Sequence, residues 1–133
     1  MNILSIGSKI TLRKISEEIV DKVESINFLD KTTNNFLNWG LSKTKKINYY
    51  SGDITKIDTL INAGLNDSDI IIVHSGNDME SLFIAQKSKI NANSSIFVIL
   101  EDLSLAEIFE SLGFIIFDSH NLKITRLLNK LGN

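Results

Sequence analysis

Two residues near the N-terminus have the types and the spacing of a nucleotide-binding site. Gly7 follows a short apolar stretch, and Asp30 comes about 20 residues later, at the end of a second apolar stretch. In such sites a glycine turn holds phosphate groups, and the distant carboxylate accepts hydrogen bonds from ribose hydroxyls. An acid here favours an unphosphorylated ribose, because it repels a 2′-phosphate. The alternative interpretation is that Asp30 is a solvated acid at a strand end.

The other glycines of the corresponding fingerprint are absent. A G-x-G-x-x-G turn needs glycine at positions 7, 9 and 12, but the chain has Gly7, Lys9 and Leu12. The second glycine lets the backbone approach a pyrophosphate, and the third allows close contact between helix and strand. Lys9 therefore either obstructs a diphosphate or pairs with a phosphate at a helix N-terminus. We expect weak or absent dinucleotide binding, whereas a mononucleotide could still bind.

Polar residues also follow the later apolar stretches. Asp53 could bond an adenine amine or a loop amide, or it could cap the next helix. His74 could act as an acid or base, but no serine, cysteine or paired carboxylate stands at a spacing that completes a catalytic set. A half-buried histidine at a strand end is the favoured interpretation. We predict no catalytic residue, and the distant pair of His74 and His120 predicts no metal site.

Composition narrows the class of protein further. The chain has 133 residues, 43% of them hydrophobic and 23% charged, which fits one folded domain. The net charge of −2 argues against nucleic-acid binding. There is no cysteine, so disulfides and thiolate metal sites are excluded. No apolar run approaches the ~20 residues that span a bilayer, and no signal-peptide pattern precedes the first strand. We expect a cytoplasmic protein without membrane insertion.

Short apolar strands alternate with helical patterns along the whole chain. This alternation predicts one α/β domain over residues 1–133, with a doubly wound, mostly parallel, six-stranded Rossmann-like sheet and helices on both faces. Ligands of such sheets bind beyond the carboxyl ends of the strands, where the polar residues described above should converge. The predicted strands are 2–6, 26–30, 46–51, 69–74, 95–100 and 114–117. The predicted helices are 10–23, 32–42, 54–65, 77–90, 103–113 and 121–132.

The last predicted helix, within the terminal segment 118–133, carries more apolar side chains than the terminal helix of a monomer needs. We therefore predict a homodimer that uses this helix, which could also be exchanged between subunits. The apolar residues concerned are Leu122, Ile124, Leu127, Leu128 and Leu131.

The segment "GDITKIDTLINAGLNDSDIIIVHSGNDMESL" (52–82) resembles the N-terminal domain of the TrkA type, also called the RCK or KTN domain. The family's Gly-Asp-Ala-Thr run matches residues 52–55, and its Ala-Gly helix end matches Ala63 and Gly64. Its Asp-x-Asp pair matches Asp67 and Asp69, which lead into the fourth strand. The pattern after that strand matches Ser75, Asp78 and Ser81, and "FLDK" (28–31) matches the strand that ends in the ribose acid.

This resemblance implies a non-enzymatic regulatory domain that senses an adenine nucleotide (NAD(H), ATP, ADP or AMP). Such domains gate potassium uptake systems or channels, so the implied partners are a membrane transporter or channel subunit and further copies of the chain. The alternative is a degenerate Rossmann domain that binds no nucleotide and serves as a dimerisation or interaction scaffold. A small oxidoreductase fits less well, because no acid–base set is evident. The predicted binding residues are Gly7, Ser8, Lys9, Asp30, Lys31, Gly52, Asp53, Ile54, Ser75, Gly76 and Asp78.

Overall fold

The computed structural model describes residues 1–40 and 46–132, which form a six-stranded sheet with helices on both faces. The strand order is β3-β2-β1-β4-β5-β6, and all neighbouring strands are parallel. This confirms the predicted fold, with the switch in strand order between β1 and β4. The strands are β1 Asn2–Ile6, β2 Ser25–Asp30, β3 Ile47–Ser51, β4 Ile70–Val73, β5 Ser95–Leu100 and β6 Ile115–Asp118. The α-helices are α1 Ile10–Ile19, α2 Ile57–Asn62, α3 Asp78–Asn91, α4 Ala106–Ser111 and α5 Thr125–Lys130.

The core consists of two apolar layers, one on each face of the sheet. Every residue of β4 is buried, as expected for a central strand that is covered on both faces. Leu12 of α1 and Leu127 of α5 pack in the layer on one face. Leu60 of α2 and Leu82 of α3 pack in the layer on the other. We call α1 with α5 the first helix layer, and α2, α3 and α4 the second helix layer.

The predicted helix 32–42 is instead a short 3-10 helix, Thr33–Phe36, and residues 41 and 42 lie outside the described part of the chain. The Thr32 hydroxyl caps this turn by accepting the Asn34 N–H. Phe36 and Trp39 then turn inward, and both rings lie edge-on or tilted against Phe28. Aromatic packing therefore replaces helix continuation, and Trp39 is a core residue.

The predicted helix 54–65 begins later, at Ile57. Residues 53–55 form a turn in which Asp53 accepts hydrogen bonds from Thr55, so Asp53 does not cap α2. The expected terminating glycine is confirmed, because Gly64 has a φ of +103°. Asn77 caps α3, since its side chain accepts the Glu80 N–H at 3.0 Å.

The terminal helix is shorter than predicted and does not offer a free apolar face. Ile124 and Leu127 are buried, and Leu122, Leu128 and Leu131 are partly buried against the same core layer. The surplus of apolar side chains is therefore used within the chain, to cover the sheet beside α1. An amphipathic pattern does not reveal which surface it meets, so the homodimer through this helix stays a prediction.

Candidate functional site

The turn after β1, residues 7–9, is held between its neighbouring strands, and we call it the phosphate turn. Gly7 has a φ of +115°, and its N–H donates to the Leu29 carbonyl at 2.8 Å. A Cβ at this position would overlap the backbone carbonyl of His74, far inside van der Waals contact. Only glycine fits both the dihedral angle and this close approach. The structure thus supplies a strict reason for the one fingerprint glycine that the sequence keeps.

Lys9 lies directly before α1 and fills space beside the phosphate turn. Its side chain crosses to the turn after β4, where a Cβ on Gly76 would overlap Lys9 Cε. The Lys9 ammonium forms no ion pair with any described residue, and the side chain is exposed. Leu12, at the third glycine position, is fully buried in the core. Lys9 in place of glycine therefore changes the space beside the turn, whereas Leu12 changes only the packing beneath it.

Asp30 ends β2 and faces the phosphate turn, as its spacing predicted. Only 8% of the residue is exposed. Its Oδ2 accepts the Ser8 hydroxyl at 2.5 Å and the Asn35 side-chain amide at 2.8 Å, and its Oδ1 accepts the Lys31 N–H at 2.8 Å. The carboxylate is thus satisfied by three donors of the chain itself. A ribose hydroxyl would have to share or replace one of the two side-chain donors, Ser8 or Asn35.

The loop after β3 lies next to Asp30 but uses its polar groups internally. The Gly52 N–H donates to the Asp30 carbonyl at 3.2 Å. Asp53 accepts the Thr55 hydroxyl at 2.6 Å and the Thr55 N–H at 3.0 Å, and these bonds lower the pKa of its exposed carboxyl. Ile54 is 1% exposed and packs in the core of the second helix layer. Lys31 points along the edge to Glu80, 3.8 Å away.

The loop after β4 is likewise internally bonded. The Ser75 N–H donates to the Ser81 hydroxyl at 3.0 Å, while the Ser75 hydroxyl donates to the Asn77 carbonyl at 2.9 Å. Asp78, the first residue of α3, accepts the backbone N–H groups of Glu101 and Asp102, each at 2.9 Å. The Asp78 carboxylate therefore fixes the loop after β5. Sequence reasoning selected Asp78 for nucleotide binding and missed this contact, which joins residues more than 20 positions apart.

His74 has the most connected side chain at this edge of the sheet. Its ring is buried, with Nδ1 2.5 Å from the Thr11 hydroxyl and Nε2 2.8 Å from Glu101 Oε1. Glu101 Oε2 in turn accepts the Ser119 hydroxyl at 2.6 Å, and His120 Nε2 lies 3.5 Å from it. We call Thr11, His74, Glu101 and Ser119 the His74 network. It joins α1 to the residues that follow β4, β5 and β6.

Burial sets the protonation of this network. Desolvation lowers the pKa of His74 below its ordinary value of 6.5, while the hydrogen bond and the charge of Glu101 oppose that shift. Hydrogen bonds from Ser119 and then from His74 lower the pKa of Glu101. Glu101 is therefore an ionised acceptor, so Nε2 of His74 donates to it. In the neutral ring Nδ1 then accepts the Thr11 hydroxyl proton.

The sequence held a signal for this network that pattern reasoning did not use. An ionisable His74 directly follows a strand that is apolar throughout, and such a side chain at a switch point needs a partner. The residues that follow β5 and β6 were identified only as part of a general polar edge. Both nitrogens of the buried ring are already engaged, so His74 links elements of the fold and presents no free ring nitrogen to solvent.

The described residues contain no group of three or more histidines, cysteines or acids that could hold a metal ion. None of the helices within this same part of the chain is long and apolar enough to cross a membrane.

The geometry of this site, in which a glycine turn and an acid lie together at the switch point, agrees with the family resemblance of the sequence. A sequence model of the TrkA-N domain matches residues 9–120, which is most of the chain. The chain belongs to the TrkA-N domain family. In this TrkA-N domain, Lys9 and Leu12 stand at the second and third glycine positions of the G-x-G-x-x-G fingerprint. No curated protein shows significant sequence similarity to it.

Solved structures share the fold of this TrkA-N domain at low sequence identity. The GsuK channel bound to NAD superposes with a TM-score of 0.72 and 13% identity, over 97% of this chain and 22% of that one. The NAD(P)-binding domain of an exopolyphosphatase-related protein from Archaeoglobus fulgidus gives 0.71 and 14%, over 98% and 96%. The Shewanella denitrificans Kef CTD in its AMP-bound form gives 0.68 and 16%, over 100% and 83%. The chain thus spans less than a quarter of the channel that it matches.

Proposed function

We propose that this TrkA-N domain is a non-enzymatic, cytoplasmic regulatory domain that senses an adenine nucleotide and controls a membrane potassium transporter or channel. The observation that carries this proposal is the meeting of the Gly7 turn and the Asp30 carboxylate at the switch point of the sheet. Ligands of open α/β sheets bind at that point. Nucleotides bound to two proteins of the same fold, NAD in the GsuK channel and AMP in the Kef CTD, support the ligand class.

Within that class, the lysine beside the turn favours a mononucleotide. The Lys9 side chain crosses the space between the turns after β1 and β4, where a pyrophosphate would need close access to backbone. A single phosphate at the N-terminus of α1 needs less room and would meet both free amides and the ammonium of Lys9. Ribose hydroxyls would take over from Ser8 or Asn35 as donors to Asp30.

The second candidate is a scaffold without nucleotide, and one observation favours it. Asp30 already has three donors from its own chain, and its partner Ser8 belongs to the phosphate turn. A site that satisfies its own polar groups loses less by staying empty than one with unpaired groups. Under this reading the phosphate turn preserves the fold and has lost its ligand.

Self-association is part of both candidates, and the outer surface of the second helix layer supports it. Apolar side chains project from α2, α3, α4 and the turn before α4, whereas the outer face of α1 after its first residue carries charged residues. Exposed apolar surface of this kind marks contacts between proteins. The exposed residues are Ile61, Met79, Phe83, Ile90, Leu103, Leu105, Ile108 and Leu112. We propose that a homodimer or higher oligomer forms through this layer, in place of the terminal helix predicted from sequence.

A ligand screen separates the two candidates. Thermal unfolding is measured with NAD⁺, NADH, ATP, ADP and AMP, and hits are confirmed by calorimetry. A nucleotide at 100 times its dissociation constant should stabilise the protein by about 2.7 kcal/mol. Asp30→Asn should weaken that effect, while Asp21→Asn, an exposed acid that precedes β2, should not. If none of the five ligands binds, the scaffold reading stands and the sensing proposal is overturned.

A further inference from the structure

We propose that His74 is a proton-responsive link, so that nucleotide binding at the phosphate turn and proton uptake by His74 favour each other. This inference rests on the proposed function and adds a form of regulation to the same site. The position of His74 is the first observation that supports it. The His74 backbone carbonyl lies against Gly7, and its ring bonds to the Thr11 hydroxyl on the first turn of α1. His74 therefore contacts both parts of the chain that would surround a phosphate.

The hydrogen bonds of the ring differ between its two protonation states. In the neutral ring, Nε2 donates to Glu101 and Nδ1 accepts the Thr11 hydroxyl proton. In the protonated ring both nitrogens donate. Thr11 must then accept from Nδ1, and its own hydroxyl proton is released towards another acceptor. A phosphate at the N-terminus of α1 is an acceptor of the required charge, next to the residue that loses its previous partner.

Charge acts in the same direction as these hydrogen bonds. The ionisable groups that face His74 are Lys9 from the phosphate turn, Asp78 from α3 and Glu101 from the end of β5, with His120 beyond Glu101. Lys9 disfavours a charged imidazole, whereas Asp78 and Glu101 favour it. A phosphate paired with Lys9 would neutralise the one opposing charge. Binding should therefore raise the pKa of His74, and by linkage a protonated His74 should raise affinity.

The link reaches beyond the site through Glu101. The same carboxylate holds His74 through one oxygen and Ser119 through the other, and Ser119 begins the segment that leads from β6 into α5. A change in the protonation of the His74 ring therefore affects Glu101, the hydrogen-bond partner of that segment. The hydrogen bonds of the residues that follow β4, β5 and β6 would therefore depend on whether a nucleotide occupies the phosphate turn.

Nuclear magnetic resonance of the full chain tests the proposal. In His120→Gln, His74 is the only histidine, so its ring carbon signal is followed from pH 5 to 8 with and without saturating AMP. We expect a midpoint below 6.5 without ligand and an upward shift with AMP, with the backbone amide of Ser119 titrating at the same midpoint. A shift of one pH unit corresponds to an affinity change of up to about tenfold across the titration.

AMP itself titrates in this range, so its affinity is compared between the His120→Gln protein and the same protein carrying Thr11→Val. The contribution of the ligand is equal in both, and Thr11→Val removes only the hydroxyl that receives the proton-dependent bond. The pH dependence should be steeper towards low pH in the protein with Thr11. If AMP binds with identical pH profiles and the His74 midpoint does not move, the link is overturned and nucleotide sensing stands. If no adenine nucleotide binds at any pH, both are overturned.

Discussion

On one side of the switch point, Asp30 is held by a hydroxyl, an amide and a backbone N–H, all of them neutral donors. On the other side, His74 and Glu101 hold each other through two ionisable groups. We call the Asp30 side the first half of this edge of the sheet and the His74 side the second half. The first half can exchange a donor of the chain for a donor of a ligand without any change of charge. The second half cannot change its hydrogen bonds without moving a proton or a charge.

The two halves meet at Gly7, whose N–H bonds to β2 and whose Cα lies against the carbonyl of His74. This common point explains why glycine is required at position 7 whether or not a ligand binds. In the G-x-G-x-x-G fingerprint the second glycine makes room for a ligand, so a lysine at position 9 leaves the fold intact. Gly7 serves the packing between the ends of β2 and β4, which the fold itself needs.

Gly7→Ala should therefore have the largest effect on the fold. The new methyl group would meet the His74 carbonyl at a positive φ, and strain plus overlap should lower the free energy of unfolding by about 3 kcal/mol or more. Urea denaturation measures this loss. Gly40→Ala is the matched control, because Gly40 also has a positive φ, +72°, but no atom of the described residues lies within 4 Å of its added Cβ. Equal losses in the two variants would show that the close contact with His74 does not matter.

Asp30→Ala should have the next largest effect, and it acts on both stability and binding. The variant leaves Ser8, Asn35 and the Lys31 N–H without their acceptor, which should cost about 1–3 kcal/mol of unfolding free energy. Nucleotide binding should weaken by a similar amount if ribose hydroxyls use the same carboxylate. The loss of stability comes from these three donors within the chain, which the sequence pattern did not reveal.

Ser8→Ala sharpens that test, because it frees one side of the Asp30 carboxylate without removing the acid. If ribose replaces Ser8 as a donor, nucleotide affinity should stay equal or rise in Ser8→Ala while it falls in Asp30→Ala. A fall in affinity in both variants would show that Ser8 itself contacts the ligand. Isothermal titration calorimetry with the tightest nucleotide of the screen distinguishes these results.

The contrast between the two halves also shows which parts of the site can be predicted from the sequence. Gly7 and Asp30 were found because their spacing follows from one strand–helix–strand unit, whose length is fixed by local geometry. The contact of His74 with Glu101 joins two separate units, and its spacing depends on the lengths of α3 and its loops. The same holds for Asp78 and the backbone of Glu101. The alternation of strands and helices predicted the doubly wound parallel sheet, but it did not predict which helix face stays exposed.

The pH dependence of stability should be smaller and should come from the second half of the edge. The pKa of His74 is lowered in the folded state, so the unfolded chain binds its proton more readily. The free energy of unfolding should therefore fall as pH drops below 6.5, by at most about 1.4 kcal/mol per pH unit. Above pH 5 the acid titration of Glu101, whose pKa is also lowered, contributes little.

Urea denaturation between pH 5 and 8 measures this effect in three proteins. The wild type and His120→Gln, in which His74 is the only histidine, should both lose stability as the pH falls. His74→Gln should be less stable at pH 8 and should show a flatter profile. If His74→Gln and the wild type have parallel profiles, the buried imidazole is not the group that titrates.

Changes at Lys9 should affect folding least and distinguish two roles in binding. The side chain is exposed and unpaired among the described residues, so its removal should change stability by a few tenths of a kcal/mol.

Lys9→Gly removes both length and charge, whereas Lys9→Met keeps the length and removes the charge. If Lys9 obstructs a diphosphate, Lys9→Gly should gain NAD(H) binding and Lys9→Met should not. If Lys9 pairs with phosphate, both variants should weaken nucleotide binding and flatten its salt dependence. We expect obstruction for NAD(H), since Lys9 lies against Gly76 where a diphosphate would need room, and calorimetry at two salt concentrations measures both outcomes. A failure of wild type and both variants to bind NAD(H), ATP, ADP or AMP would contradict either role and leave both halves of the edge as structure alone.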